Sequence, residues 1–214
     1  MNIFILPSGI YSTNAYIVSC LSTREAVIID APPESCEKIL AYLKEQNLIP
    51  KAIWLTHSHW DHISDVDSLK ASLNIPVYVH ELDAANLIKP GADGLRLRQK
   101  IEGVAPDGFF TGNQHISVGR LVFQVIHTPG HSKGSICFFE PTTPALFSGD
   151  TLFKGTIGNL SFPTSEPKLI GQSLGKLAQL PLKTQVYPGH GPMTSIEDEQ
   201  EMLHEMIEDS KFIL

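Results

Sequence analysis

The sequence predicts an α/β layered fold. Short runs rich in β-branched and aromatic residues alternate with segments of helical apolar spacing through both halves of the chain. The order is also roughly repeated, β-β-β-α-β-α-β-α and then β-β-β-α-β-α, so each half is expected to supply one sheet with its helices outside it. At 214 residues with 42% apolar side chains, the chain is long enough to bury a sizeable core, and one domain over 1–214 is the simplest organisation. No internal repeat, low-complexity tract or flexible linker divides it.

The first strands read from "NIFIL" (2–6), "NAYIVSC" (14–20) and "EAVIID" (25–30), with turn residues between the first two. Over 34–47 the spacing of Ile39, Leu40 and Leu43, continued by Leu48, suits one helix face, with Pro33 near its first turn. "KAIWLT" (51–56) has the pattern of a buried strand. A short helix is expected from about Asp61–Asp65 to Leu73, then a strand "PVYVH" (76–80) and a helix "ELDAANLI" (81–88). Residues 89–112 are rich in glycine and charge and have no period, which predicts a loop with some helix, of the kind that lids a site. Phe109 and Phe110 within it suit a substrate entrance or the core equally. Strands follow at 120–128, 135–140 and 145–149, then a helix at 166–179, a strand at 185–189 and an acidic helix at 195–209.

Composition excludes some functions. A net charge of −7 argues against a broadly basic nucleic-acid surface. The opening "MNIFILPSG" has no basic flank, and its apolar run stops at Pro7, too short for a signal segment or a membrane span. Cys20, Cys36 and Cys137 are odd in number and form no C-x-x-C pair. They read as buried, reduced thiols of a cytoplasmic protein, with no activating pattern beside them.

The segment "LTHSHWDHISD" (55–65) places His57, His59, Asp61 and His62 within six positions. Imidazole and carboxylate are good ligands for zinc and similar cations. In a loop after a strand, His57 and His59 point the same way and suit one ion, while Asp61 and His62, where a helix begins, suit a second. A histidine-rich surface loop is the alternative for this segment taken alone. Three further strand ends carry ligand-type residues beside glycine: His131 in "HTPGHSKGS", Asp150 in "FSGDTLF" and His190 in "VYPGHGP". In α/β sheets ligands bind in the crevice beyond the strand ends, and four such loops point to a metal site. His127 is a candidate for orienting a ligand, whereas His80, His115 and His204 read as surface or helix-end residues.

"THSHWDH", "TPGHS", "GDTLF" and "PGHGP" resemble the successive motifs of the metallo-β-lactamase superfamily over nearly the whole chain. Within it, "GDTLF" and the glycine-rich loop after it are most similar to glyoxalase II-like hydrolases. The resemblance implies a four-layer αββα sandwich. It assigns His57, His59 and His131 to one metal, Asp61, His62 and His190 to a second, and Asp150 to a bridge between them. Two divalent ions are implied, zinc first, with iron or manganese also compatible with these ligands. The implied reaction is attack of a metal-bound hydroxide, held also by the catalytic Asp61, on a hydroxyacyl thioester such as S-lactoylglutathione. The expected partner is thus a small-molecule, glutathione-based thioester, not a nucleic acid or a membrane. Glutathione-using relatives place a cation where this chain has Asn159, so Asn159 and Lys133 are the candidate substrate contacts. The same motifs also suit a mononuclear-iron persulfide dioxygenase using His57, His131 and Asp150, or a hydrolase of lactones, β-lactams or phosphodiesters.

Overall fold

The computed structural model describes residues 1–210, so the last four positions of the expected 1–214 domain lie outside the described residues. In the first half, β1 (Asn2–Ser8), β2 (Thr13–Ser19) and β3 (Glu25–Ile29) pair antiparallel. Parallel strands β4 (Ile49–Trp54), β5 (Val77–His80) and β6 (Gly108–Phe110) extend them into a six-stranded sheet in chain order. Parallel neighbours require crossovers. These are α1 (Cys36–Glu45) between β3 and β4, α2 (Trp60–Ile63) with α3 (Val66–Leu73) between β4 and β5, and α4 (Ala84–Ile88) before β6.

The second half repeats the plan. Strands β7 (His115–Val118), β8 (Leu121–His127), β9 (Ile136–Glu140) and β10 (Ala145–Gly149) pair antiparallel in sequence. After α5 (Ile170–Leu177), β11 (Gln185–Pro188) runs parallel to β10, β12 (Thr194–Ser195) closes the edge, and α6 (Ile196–Ser210) follows.

Period-two alternation along the strands sorts the side chains into layers. In β3, Ala26 and Ile28 join the cluster under α1 and α3, while Val27 and Ile29 face the other way, into the space between the sheets. In β9, Ile136 and Phe138 enter that same space, and Cys137 and Phe139 face α5 and α6. The shared middle layer contains Trp54 packed edge-on against Phe123 at 5.3 Å between ring centroids. Both sheets are thus buried on both faces, giving the αββα sandwich. Each large apolar side chain so buried stabilises the fold by about 1.5–3 kcal/mol.

Some elements differ from expectation. The helix expected over 61–73 breaks at Asp65, whose carboxylate turns back to accept the N–H groups of Ser35 and Cys36 at 2.9 and 2.8 Å. That anion sits at the start of α1, where helix N–H groups lack partners. The segment 89–112 contains β6 and no helix, and β7 and β12 were not expected. Phe110 is core, whereas Phe109 is half-exposed.

Candidate metal centre

All four ligand-bearing loops leave the same edge of the sandwich. β4 ends before His57, β8 before His131, β10 before Asp150 and β11 before His190. Backbone contacts tie the two sheets together there. Asn14 of β2 donates its Nδ2 to the carbonyls of Pro188 and Gly191 at 2.9 and 3.0 Å, which places the His190 loop over the first sheet. Gly189 must be glycine, because a Cβ there would lie 2.1 Å from Asp150 Oδ1 and 2.8 Å from His62 Cε1.

Seven residues expected as ligands converge. His57, His59 and His131 form one group of donor atoms within 4.8 Å of one another; Asp61, His62 and His190 form another. Asp150 lies between them. Its Oδ1 is 3.3 Å from His62 Nε2, and its Oδ2 is 3.4 Å from both His131 Nε2 and His190 Nε2.

Each ring is oriented by what its outer nitrogen donates to. His62 Nδ1–H donates to Asp30 Oδ2 at 2.8 Å. His131 Nδ1–H donates to the Asn159 carbonyl at 2.9 Å, and His190 Nδ1–H to the Tyr11 carbonyl at 3.2 Å. His57 Nδ1–H donates to Thr56 Oγ1 at 3.1 Å, and that hydroxyl donates to Asp30 Oδ2 at 2.7 Å. These partners take the Nδ1–H of each ring and leave each Nε2 facing inward, as a lone pair whenever the ring is neutral. His59 is the exception, with Nδ1 facing in, 2.8 Å from His131 Nε2.

The centre fits cations. His57 Nε2 is buried with no hydrogen-bond partner, and Asp150 Oδ1 has no partner in hydrogen-bond geometry. Inward-facing, unsatisfied lone pairs of this kind are costly unless something electropositive fills the space between them. Burial and the neighbouring imidazoles push His57 well down, and burial with His131 pushes His59 down to about 3, so both stay neutral. Burial also disfavours charge on His190, but hydrogen bonds that its ring donates to the Asp150 and Asp61 carboxylates outweigh it and raise the ring to about 9. Burial opposes ionisation of Asp61, yet His62 and His190 draw its carboxyl down to about 2.

Other expected residues lie elsewhere. Asn159 lines the cleft, with its carbonyl on His131 and its Oδ1 accepting from Ser161 N–H at 2.8 Å. Lys133 lies beside the cleft rather than in its wall, 3.7 Å from Glu166, and lines an adjoining depression with Ser58, His59 and Asp83. Asp83 holds the surrounding loop by accepting from Ser58 N–H, Ser132 Oγ–H and Gly134 N–H. His127 is likewise turned away, bonded to the Lys133 carbonyl and stacked on His80 at 4.1 Å. His80 is buried, not on the surface. His115 and His204 are exposed as expected. The cysteines are all free; Cys20 and Cys137 are buried as expected and Cys36 is half-buried, and hydrogen bonds from Ser22, Thr23 and the Arg120 N–H lower the Cys20 thiol to about 6.

Above the cluster lies an open cleft of about 560 Å³, walled by Tyr11, Trp60, Phe153, Phe162 and the 95–98 segment. No helix among the described residues is long and apolar enough to cross a membrane.

This fold and this cluster define a class. The metallo-beta-lactamase superfamily pattern matches residues 8–190, and the chain belongs to that superfamily. It is 34% identical over 199 residues to the "probable metallo-hydrolase YqgX" of Bacillus subtilis, covering 92% of this chain and 93% of that one. A hydroxyacylglutathione hydrolase of Thermosynechococcus vestitus is 32% identical over 169 residues, 78% of this chain but 59% of that enzyme. Among solved structures, BLEG-1 B3 metallo-beta-lactamase superposes with a TM-score of 0.87 at 37% identity, covering 94% of this chain and 97% of that one. TTHA1623 in a di-iron-bound form gives 0.78 at 38% identity over 92% and 96%. ETHE1 from Myxococcus xanthus gives 0.78 at 27% identity over 100% and 91%.

Proposed function

We propose that the chain is a metal-dependent thioester hydrolase acting on a hydroxyacyl thioester of the glutathione type. The observation that carries the reading is the placement of Asp150 between two complete ligand groups at the floor of an open cleft. The hydroxyacylglutathione hydrolase relative supports the substrate class. His57, His59 and His131 would hold one cation, and Asp61, His62 and His190 the other, with Asp150 shared. A bound cation pair polarises a carbonyl and lowers the pKa of a water toward ~7.

The chain supplies the rest. Asp61 is ionised at neutral pH and tied to Thr13 Oγ1 at 2.9 Å. Its carboxylate accepts a proton-bearing hydrogen bond from a water at the cleft floor and orients it toward the acyl carbon. Trp60 and Phe162 line the cleft beside that point and give it an apolar wall. A thiol has an ordinary pKa of ~8.5 and leaves as thiolate, so no protonating side chain is required.

Two other readings have observations behind them. The likeness to BLEG-1 favours β-lactam hydrolysis on the same residues. A mononuclear-iron persulfide dioxygenase would use His57, His131 and Asp150 and leave the other group idle. The test is turnover of S-lactoylglutathione beside a β-lactam, with oxygen uptake on glutathione persulfide, by metal-loaded protein. Thioester cleavage alone supports the proposal; β-lactam cleavage alone or oxygen uptake alone overturns it.

A further inference from the structure

The wall of the cleft holds a feature that the metal cluster does not explain. Arg96 and Arg98 both line it, on the segment between α4 and β6. Among the described residues neither guanidinium has a carboxylate within ion-pair distance, although the chain carries 23 acidic side chains against 16 basic ones. Arg98 makes only a long contact, Nη2 to Tyr11 Oη at 3.5 Å, on the far lip of the same cleft.

The segment is anchored to the metal centre. Buried Asn86 donates Nδ2 to the Ser58 carbonyl, between ligands His57 and His59, and to Asp93 Oδ2 at 2.9 Å. Asn86 Oδ1 accepts the Gly91 N–H at 2.9 Å, and Asp93 Oδ1 accepts the Leu95 N–H at 2.9 Å. At Gly94 the backbone has φ +83°, and a Cβ there would press on Pro163 at 3.3 Å, so the turn packs closely against Pro163. Two like charges, both exposed, therefore stand two residues apart on the cleft wall. That arrangement is repulsive by itself and is relieved by an anion.

We propose that Arg96 and Arg98 form an anion subsite that grips the carboxylate or phosphate tail of the substrate's thiol carrier while the acyl group lies over the metal cluster. The choice of carrier rests on the thioesterase reading; the subsite does not. It supplies the charge that Asn159 lacks and that Lys133, paired with Glu166, does not bring. Guanidinium groups bind carboxylate and phosphate through paired, charge-assisted hydrogen bonds, and exposed ones are screened by salt.

The test compares wild type, R96Q/R98Q, R96K/R98K and R24Q, all metal-loaded. Arg24 is an exposed cation outside the cleft. Calorimetric binding uses S-methylglutathione, S-methyl-coenzyme A and the neutral N-acetyl-S-methylcysteamine. The R96Q/R98Q pair should weaken binding of the preferred anion about tenfold or more and flatten its salt dependence, R96K/R98K should fall between, and R24Q should match wild type. Preference for the glutathione ligand marks a carboxylate tail, and for the coenzyme A ligand a phosphate tail. Equal affinity in R96Q/R98Q and wild type, or no binding of either anion to wild type, overturns the subsite. Hydrolysis of the lactoyl thioesters of glutathione and N-acetylcysteamine is read in parallel, and the preference for the former should drop about tenfold in R96Q/R98Q. If wild type cleaves neither, the thioesterase reading fails, while the binding arm still decides the subsite.

Discussion

The two candidate ligand groups flank Asp150 but differ in charge and in access. His57, His59 and His131 are buried imidazoles whose pKa values burial lowers, so the group offers neutral lone pairs. Asp61, His62 and His190 mix carboxylate with imidazole, and His190 is a quarter exposed. For His62, burial pushes the ring down, but Asp150, Asp61 and Asp30 together hold it well above its ordinary value. Without cations, the second group stores protons in imidazolium–carboxylate pairs. The first is ready to bind, whereas the second must exchange protons for metal.

Removing the shared residue should have the largest effect. Asp150→Ala is expected to reduce turnover by about a thousandfold or more and to weaken cation binding at both groups. Near-normal activity in that variant would sink the two-cation reading. Gly189→Ala comes next, since its Cβ would collide with Asp150 Oδ1 and His62. It should cost about a hundredfold in activity, with the loss concentrated in the second group's cation. A variant that keeps full metal content would show that the loop yields.

Asp30→Asn sharpens the contrast further. Asp30 accepts from His62 directly but reaches His57 only through Thr56. Metal affinity at the second group should fall about 10–100-fold, and at the first group less. Competitive chelator titration separates the two steps; an equal loss at both would contradict the ordering.

Taken per pH unit, the smallest effect is the pH dependence of metal affinity. His190 sits at about 9 without metal, so at neutral pH a cation must displace its proton. Apparent affinity at the second group should rise by about tenfold per pH unit for each proton displaced, between neutrality and about pH 9. The first group, with His59 near 3, should show no such slope there. Calorimetry in buffers of different ionisation enthalpy counts the protons, and zero release at the second step would contradict the charge assignment.

How much of this was legible in the sequence follows from sequence separation. The candidate ligands His57, His59, Asp61 and His62 crowd one segment, and His131, Asp150 and His190 each follow a readable strand beside glycine. The layered fold was legible because strand alternation and helical spacing are local signals. Asp30 was not singled out: it is a lone carboxylate at a strand end, and only the parallel pairing of β3 with β4 brings it to Thr56 and His62. Asp83 and Asn86 were hidden for the same reason, since they act on loops reached through the fold. Arg96 and Arg98 lay in a stretch without periodicity, whose charges alone do not say which way they face. The short edge strands β7 and β12 carry too few residues for alternation to register.

The most direct measurement is the number of metal ions per chain in protein equilibrated with divalent cations, by elemental analysis, for wild type and Asp150→Ala together. About two ions in wild type, falling to one or fewer in the variant, is the expected result for groups joined by a shared carboxylate. A single ion in fully active wild type, retained unchanged in Asp150→Ala, would contradict it.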